Sequence, residues 1–381
     1  MDRIRAWLTT CVRDHLYCRR TLSGSVIDDR TATQPLPSRL IEVTPTPRLC
    51  NTAGQTGQYI ALSYCWGDPD GNAITQRATL ATFSEQLPLD RLSRTIREAI
   101  ELVRRLGFRY LWVDALCIVQ DDKDDWDRES RRMTSVYENA LATVVALGAD
   151  HAGEGLFLSG NEPPLASPLR TAVLPFVRSK GRVVGYVSLR VFPPEEEGGA
   201  RNDHFHSRWA SRGWVLQERV LSRRMVYFGR WQVYGTCTQD LWYEDGIRYE
   251  LSDDVVLNKH HLQNFFRAQR VSSSLSRFVP RRWNAWDILS FRTHTLPPQT
   301  LWERVLSDYN NCELSVPSDK LMAIEGLATA FASVSGMTYF AGIWLEMAWV
   351  GLAWKTNRLV SKMDPDRGEK SLNSGAKQKE G

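Results

Sequence analysis

With 381 residues, 43% of them hydrophobic and 24% charged, the chain can bury a sizeable core, as one large domain or two modest ones. A net charge of +4, with Lys and Arg scattered among acids, gives no field of the kind nucleic-acid binding requires. Seven cysteines spread from Cys11 to Cys312, and an N-terminus without an apolar leader, fit a reducing compartment and place the expected location in the cytosol.

The N-terminal segment "WLTTCVRDHLYC" reads as a helix with Cys11, His15 and Cys18 on one face. That spacing suits zinc, but no fourth ligand is apparent, so a packed helix is the expectation and no metal site is assigned. "RLIEV" (39–43), "YIALSY" (59–64), "YLWVDALCIV" (110–119) and "ATVVAL" (142–147) have the length and composition of strands. Between the last three lie two helical patterns. In the first, Ile96, Ala99, Ile100, Val103 and Leu106 share one face, with Ser93 as N-cap and Gly107 as stop. The second is "DDWDRESRRMTSVYENA". Strand, helix, strand, helix, strand predicts parallel pairing with helices covering the sheet.

Residues 151–205 are rich in Gly, Pro and acids around one strand-like run, "RVVGYVSLRV", and read as a surface insertion. "SRGWVLQERVLSRR" then reads as a helix, and "MVYFG" with "WQVYGTC" as an extended pair. Residues 250–310 are mixed, with a Trp-rich, basic patch. "SDKLMAIEGLATAFASVSG" predicts a helix closing on Gly336. "MTYFAGIWLEMAWVGLAW" (337–354) approaches membrane-spanning length, but Glu346 near its middle makes it a buried helix and not a membrane span. The stretch from 361 to 381 is charged and small-residue rich, the composition of a disordered tail.

Chemistry concentrates at three places. The aspartates of "VQDDKDDWDRES" fall in the loop after a strand and the first turn of the next helix, where Asp caps unpaired N–H groups and meets the positive end of the helix dipole. Capping accounts for most of them without a divalent ion, since adjacent residues point to different sides. Glu129 falls within the apolar stripe of its helix, with Trp126, Met133, Val136, Tyr137 and Ala140. An inward carboxylate needs a cation, a hydrogen-bond donor or a raised pKa, so Glu129 reads equally as a buried structural acid paired with Arg and as a functional one. In "SRGWVLQERVLS", Gln217 and Glu218 likewise share the side of Trp214 and Leu221, with Arg212 and Arg219 as neutralising cations. In "YIALSYCWGDPDG", Gly67 lets backbone N–H groups approach a ligand and Trp66 can stack on a flat ring, but the phosphate-loop and calcium-loop patterns are both incomplete. Cys117, after Asp114, reads as a small core residue.

Together, "YIALSYCWGD", "LWVDALCIVQDDKDDWDRESRRMTSVYENA" and "SRGWVLQERVLSRRMVYFG" resemble, in order, three motifs of the fungal heterokaryon incompatibility (HET) domain. The resemblance implies an α/β fold, a TIR/flavodoxin-like parallel sheet flanked by helices, with insertions and a mainly helical C-terminal region. It divides the chain into an N-terminal helical segment (1–38), the HET domain (39–240, with the insertion 151–205), a mixed helical region (241–360) and the tail (361–381). It implies a role in fungal non-self recognition and programmed cell death, with self-association or other incompatibility proteins as partners.

Through the remote similarity of HET to TIR domains, some of which cleave NAD with a helix glutamate, it places a catalytic carboxylate at Glu129. Trp66, Gly67, Asp114, Trp126, Arg212, Gln217, Glu218 and Arg219 then form the substrate site, with NAD as substrate and no cofactor. The alternative from the same resemblance is a non-catalytic self-associating module. The family's frequent Trp-Glu-Cys stands here as Tyr234, Gly235, Thr236 and Cys237, and a polar tail replaces a further β-rich segment, which keeps an inactive, shortened member as a third reading.

Overall fold

The computed structural model describes residues 1–348 apart from the short stretches 23–24, 32–33, 68–71, 179–181, 231, 245–247 and 315 and the longer ones 158–170, 191–206 and 251–296. The "DPDG" turn, most of the basic Trp-rich patch, the "GLAW" segment and the tail therefore lie outside the described residues.

The chain opens with helix α1 (Asp2–Asp14) and a 3-10 turn (Leu16–Arg19). Strands β1 (Arg39–Glu42), β2 (Arg48–Asn51) and β3 (Ile60–Ser63) follow, then helices α2 (Leu80–Glu85) and α3 (Arg94–Leu106). Next come β4 (Tyr110–Trp112), the single turn α4 (Asp114–Cys117), α5 (Lys123–Asn139) and β5 (Ala142–Val145). A hairpin of β6 (Thr171–Arg178) and β7 (Arg182–Arg190) forms a sheet of its own. Helix α6 (Gly213–Leu221) leads into β8 (Arg224–Phe228), β9 (Val233–Cys237), β10 (Asp240–Tyr243) and β11 (Arg248–Glu250). Helices α7 (Pro298–Asn310) and α8 (Met322–Ser335) complete the unit that runs from Met1 to Met337.

Among the described residues the main sheet has nine strands in the order β11-β10-β9-β8-β5-β3-β4-β1-β2. Its centre, β4-β3-β5-β8, is parallel, pairing Ile60 with Leu111 and Ala142, and Thr143 with Met225. The strands on both outer sides pair antiparallel. Numbered by chain order, the parallel strands run 2-1-3-4, the arrangement of doubly wound flavodoxin-type sheets. The fold is α/β, as the alternation of patterns predicts. Every residue of β3, β5 and β8 is buried, as expected when both faces of a parallel sheet are covered.

Helix α3 shows why local patterning decides this part of the fold. Ile96, Ala99, Ile100, Val103 and Leu106 are all buried, Ser93 stands at the N-cap and Gly107 ends the helix at φ 83°. Burying its larger aliphatic side chains contributes about 1.5–3 kcal/mol each. The Glu101 pairs with Arg104 and Arg105 on its outer face, at 2.9 and 2.7 Å, are partly exposed and worth about 0–1 kcal/mol. Apolar periodicity therefore decides the helix.

Two expectations are corrected. The run 110–119 is a strand only to Trp112, because Cys117 and Ile118 donate their N–H groups to the carbonyls of Val113 and Asp114, closing a helical turn. The apolar stretch from Met337 is not one continuous helix over its described residues, 337–348. Positive φ at Ala341 (47°) and Gly342 (93°) turns Tyr339–Phe340 back onto Ile343–Trp344 as a small hairpin, followed by a 3-10 turn, Leu345–Met347. Among the described residues no helix is long and apolar enough to cross a membrane.

Helices α5, α6 and α8 pack on one another. At Gly326 of α8 a Cβ would run into Thr134 Oγ1 of α5 and Gln217 Oε1 of α6. A glycine in a helix interior costs about 1 kcal/mol relative to alanine, so Gly326→Ala would stabilise an open helix. Here overpacking, about 1–3 kcal/mol, wins, and the variant is expected to melt at a lower temperature than the parent. A higher melting temperature would show slack at this crossing.

Candidate functional site at the carboxyl ends of the parallel strands

A cleft of about 940 Å³ opens beyond the carboxyl ends of β3 and β4. In sheets of this order, ligands bind at that end, at the switch point between the first and third parallel strands, here β3 and β5. The chain leaving β3 supplies Cys65, Trp66 and Gly67, the turn α4 supplies Asp114, and α5 supplies Trp126, Ser130 and Met133. Arg212, Trp214 and Glu218 come from the start and body of α6, and Glu313, Leu314, Val316 and Asp319 form a further wall.

Three charged groups give the cleft its chemistry. Asp114 accepts from the Trp66 indole N–H at 2.8 Å and from the Ala115 backbone N–H at 2.7 Å. The first bond fixes the Trp66 ring across the cleft entrance, and the second starts the helical turn. Glu218, 3% exposed, accepts from Ser63 Oγ, which is itself held by Trp209 Nε1 at 2.5 Å. Arg212 donates to the Tyr64 carbonyl and carries the positive charge between these acids.

Burial pushes both carboxyls above their ordinary values, and Arg212 opposes the shift at each without cancelling it. Burial also opposes the Arg212 charge, but Glu218, Cys65 and Asp114 together hold it firmly protonated. Burial raises the neighbouring Tyr64 and Tyr137 phenols well above their usual range, with the acids adding to it. Two acids with raised pKa beside one cation can share a proton, so one can donate while the other stays charged.

The structure therefore brings together Trp66, Gly67, Asp114, Trp126, Arg212 and Glu218. Three expected residues stand apart. Glu129, 4% exposed, is not part of the cleft lining. It accepts from Ser38 Oγ at 2.9 Å and Arg128 Nε at 3.2 Å, with Arg132 at 3.6 Å, and so forms a structural ion-pair group beside β1. Gln217 donates to the Met322 carbonyl at 3.1 Å and joins α6 to α8. Arg219 pairs with Asp308 of α7 at 3.1 Å.

Among the clustered aspartates, Asp122 is the N-cap, accepting from the N–H groups of Asp124 and Asp125. Asp125 does more than cap: it pairs with Arg39 and Arg128 and accepts the Val119 N–H at 2.9 Å, tying β1 to α5. Sequence reasoning gave no role to Ser63, whose only signal was a polar atom at the end of an apolar run, and read Tyr137 only as part of an apolar stripe.

The cleft, floored by two acids and a guanidinium and walled by tryptophans, lies at the position where α/β sheets of this order bind small ligands. No solved structure matches the chain. Residues 59–218 match the family model described as heterokaryon incompatibility protein (HET). It is also 34% identical over 97 residues to heterokaryon incompatibility protein 6, OR allele, of Neurospora crassa; the alignment takes in 24% of this chain and 14% of that protein's length.

The raised Glu218 pKa has a testable sign. The folded state holds this proton more tightly than the unfolded chain, so Glu218 contributes stability fully present below its ordinary value of 4.5 and lost as pH rises through the higher folded value. Melting temperatures of the parent and Glu218→Gln should therefore diverge in the variant's favour as pH is raised from 4.5. A difference that does not change with pH would mean that the carboxyl titrates alike in both states.

Proposed function

We propose that this chain acts in fungal heterokaryon incompatibility as a cell-death effector, and that its cleft hydrolyses the nicotinamide–ribose bond of NAD. The observation that carries this reading is the Asp114–Arg212–Glu218 group on the floor of a cleft beside Trp66 and Trp126. The carboxylate assigned to the chemistry is Glu218 in place of Glu129, because Glu218 lies in the cleft and Glu129 does not. Heterolysis of the C1′–N bond leaves both electrons on the ring nitrogen, so nicotinamide departs neutral and positive charge develops on the ribose. A nearby carboxylate stabilises that charge, and water adds at C1′ with its proton passing to that same carboxylate. Trp66 and Trp126 would pack against the rings, and Arg212 would meet the diphosphate.

The test is nicotinamide release from NAD by purified protein, dilute and self-associated. The parent is expected to turn over, Glu218→Gln to lose about 10²–10⁴-fold, as for a removed acid–base group, and Glu129→Gln to keep its rate while melting lower. No release by the parent in either state would overturn the enzymatic reading.

A non-catalytic, self-associating module is the second reading, and one observation favours it: Glu218 is sealed to 3% exposure and already bonded to Ser63. It predicts that Glu218→Gln lowers stability and death phenotype together, while a surface variant that cannot self-associate loses the phenotype with its melting temperature intact.

A further inference from the structure

The N-terminal segment meets the far side of the sheet at four side chains with metal-binding chemistry. Helix α1 buries Cys11 and ends at Asp14; His15 leaves helical geometry (φ −87°, ψ 94°), and the 3-10 turn brings Cys18 back under the helix. The last residue of β9, Cys237, completes the group. The three Sγ atoms and a ring nitrogen of His15 all lie within 4.8 Å of one another, and His15 Nδ1 is 3.3 Å from Cys237 Sγ. Zinc–sulfur bonds of about 2.3 Å and zinc–nitrogen bonds of about 2.0–2.1 Å make a tetrahedron with edges of about 3.6–3.8 Å. The separations span that value, and the three cysteines are fully buried with His15 half-buried at the lip.

A second, independent observation is the charge around the cluster. Arg223 and Arg224 are 2% and 0% exposed, and both pair with a single carboxylate, Asp29, at 2.6 and 2.9 Å. Among the ion pairs of the described residues, two guanidiniums against one carboxylate leave a surplus positive charge in the interior, a costly state unless something negative faces it. Arg224 Nε donates to Cys11 Sγ at 3.0 Å, and the Gln239 backbone N–H donates to Cys237 Sγ at 3.4 Å. Thiolates accept such bonds well and neutral thiols poorly. Three bare thiolates would carry three negative charges, more than one guanidinium can balance. Three thiolates, a neutral imidazole and a dication sum to a single negative charge, the complement of the surplus Arg224.

We infer that Cys11, His15, Cys18 and Cys237 form a closed Cys3His zinc site that pins the N-terminal helix to the end of β9. With all four positions supplied by protein the site is structural, and soft thiolates select zinc over the hard divalent cations. Two of the elements it joins, α1 and β9, are more than two hundred residues apart in sequence. On the same helix, Trp7 meets Trp242 in a tilted contact with ring centroids 5.6 Å apart, so an aromatic contact also holds α1 to the sheet.

The experiment measures zinc in full-length protein purified under reducing conditions without chelator, released by a thiol-specific mercurial. About one zinc per chain is expected, falling to near zero in Cys18→Ser and Cys237→Ser and unchanged in Cys65→Ser, a buried cysteine elsewhere. Should the serine variants fail to fold, the parent loaded with cobalt(II) decides: thiolate-to-cobalt charge-transfer bands with tetrahedral d–d intensity support the site. Reduced, folded parent without zinc and without those bands would overturn it. So would full zinc retention in both serine variants, or a disulfide between two of these cysteines in the freshly purified protein.

Discussion

A strand that is paired on both edges and buried on both faces has nowhere along its length for a charge, and this constraint organises the molecule. β3, β5 and β8 are in that position, so the buried charges gather where the strands begin and where they end. At the amino ends, Arg223 and Arg224 donate to the carbonyls of Ala140 and Leu141, just before β5, and pair with Asp29. At the carboxyl ends, Ser63 closes β3 and hands its hydrogen-bonding capacity to Glu218 and Trp209. One end of the sheet thus becomes a stapled seam and the other a cleft.

The same constraint explains why two buried glutamates have different roles. Glu129 is surrounded by donors, with Ser38, Arg128 and Arg132 all directed at Oε1. A carboxylate so enclosed faces the β1 side and not the cleft. Glu218 has Ser63, Tyr137 and the shared field of one guanidinium, and that guanidinium must also serve Asp114. Of the two glutamates it is Glu218, though buried, that lines the cleft.

Much of this was legible in the sequence because it depends on period. The α3 stripe, its Ser93 and Gly107 boundaries, the parallel pairing of 60–63 with 110–112 and 142–145, and the αL stop at Gly336 all follow from local patterns. What a period cannot show is which neighbour an inward face meets. On a helical wheel Glu129 lies only about 60° from Trp126, within one apolar stripe. In the fold that angle separates the cleft from the β1 side. The Trp112 boundary was missed because "VDALCIV" is as apolar as a strand, and only the side chain of Asp114, bonding to the next N–H, marks the turn. Cys237 could not be joined to Cys11, His15 and Cys18 from spacing at all, since that join belongs to the topology.

The floor and the outer wall of the cleft come from different parts of the chain, and that separation bears on how it could work. Asp114, Arg212 and Glu218 lie within residues 59–218, where the family match falls, whereas Glu313, Leu314, Val316 and Asp319 lie beyond it. The outer wall is nevertheless built onto the floor: the Gly213 N–H donates to the Glu313 carbonyl at 2.8 Å, and the Glu313 N–H to Ser211 at 2.6 Å. A Cβ on Gly213 would collide with Leu314, so the absence of a side chain there allows the wall to approach the first turn of α6. A ligand's charged group would meet the floor and its remainder would meet this wall. The charged floor therefore lies in the segment that matches the HET family model, and much of the cleft's shape comes from a segment outside it.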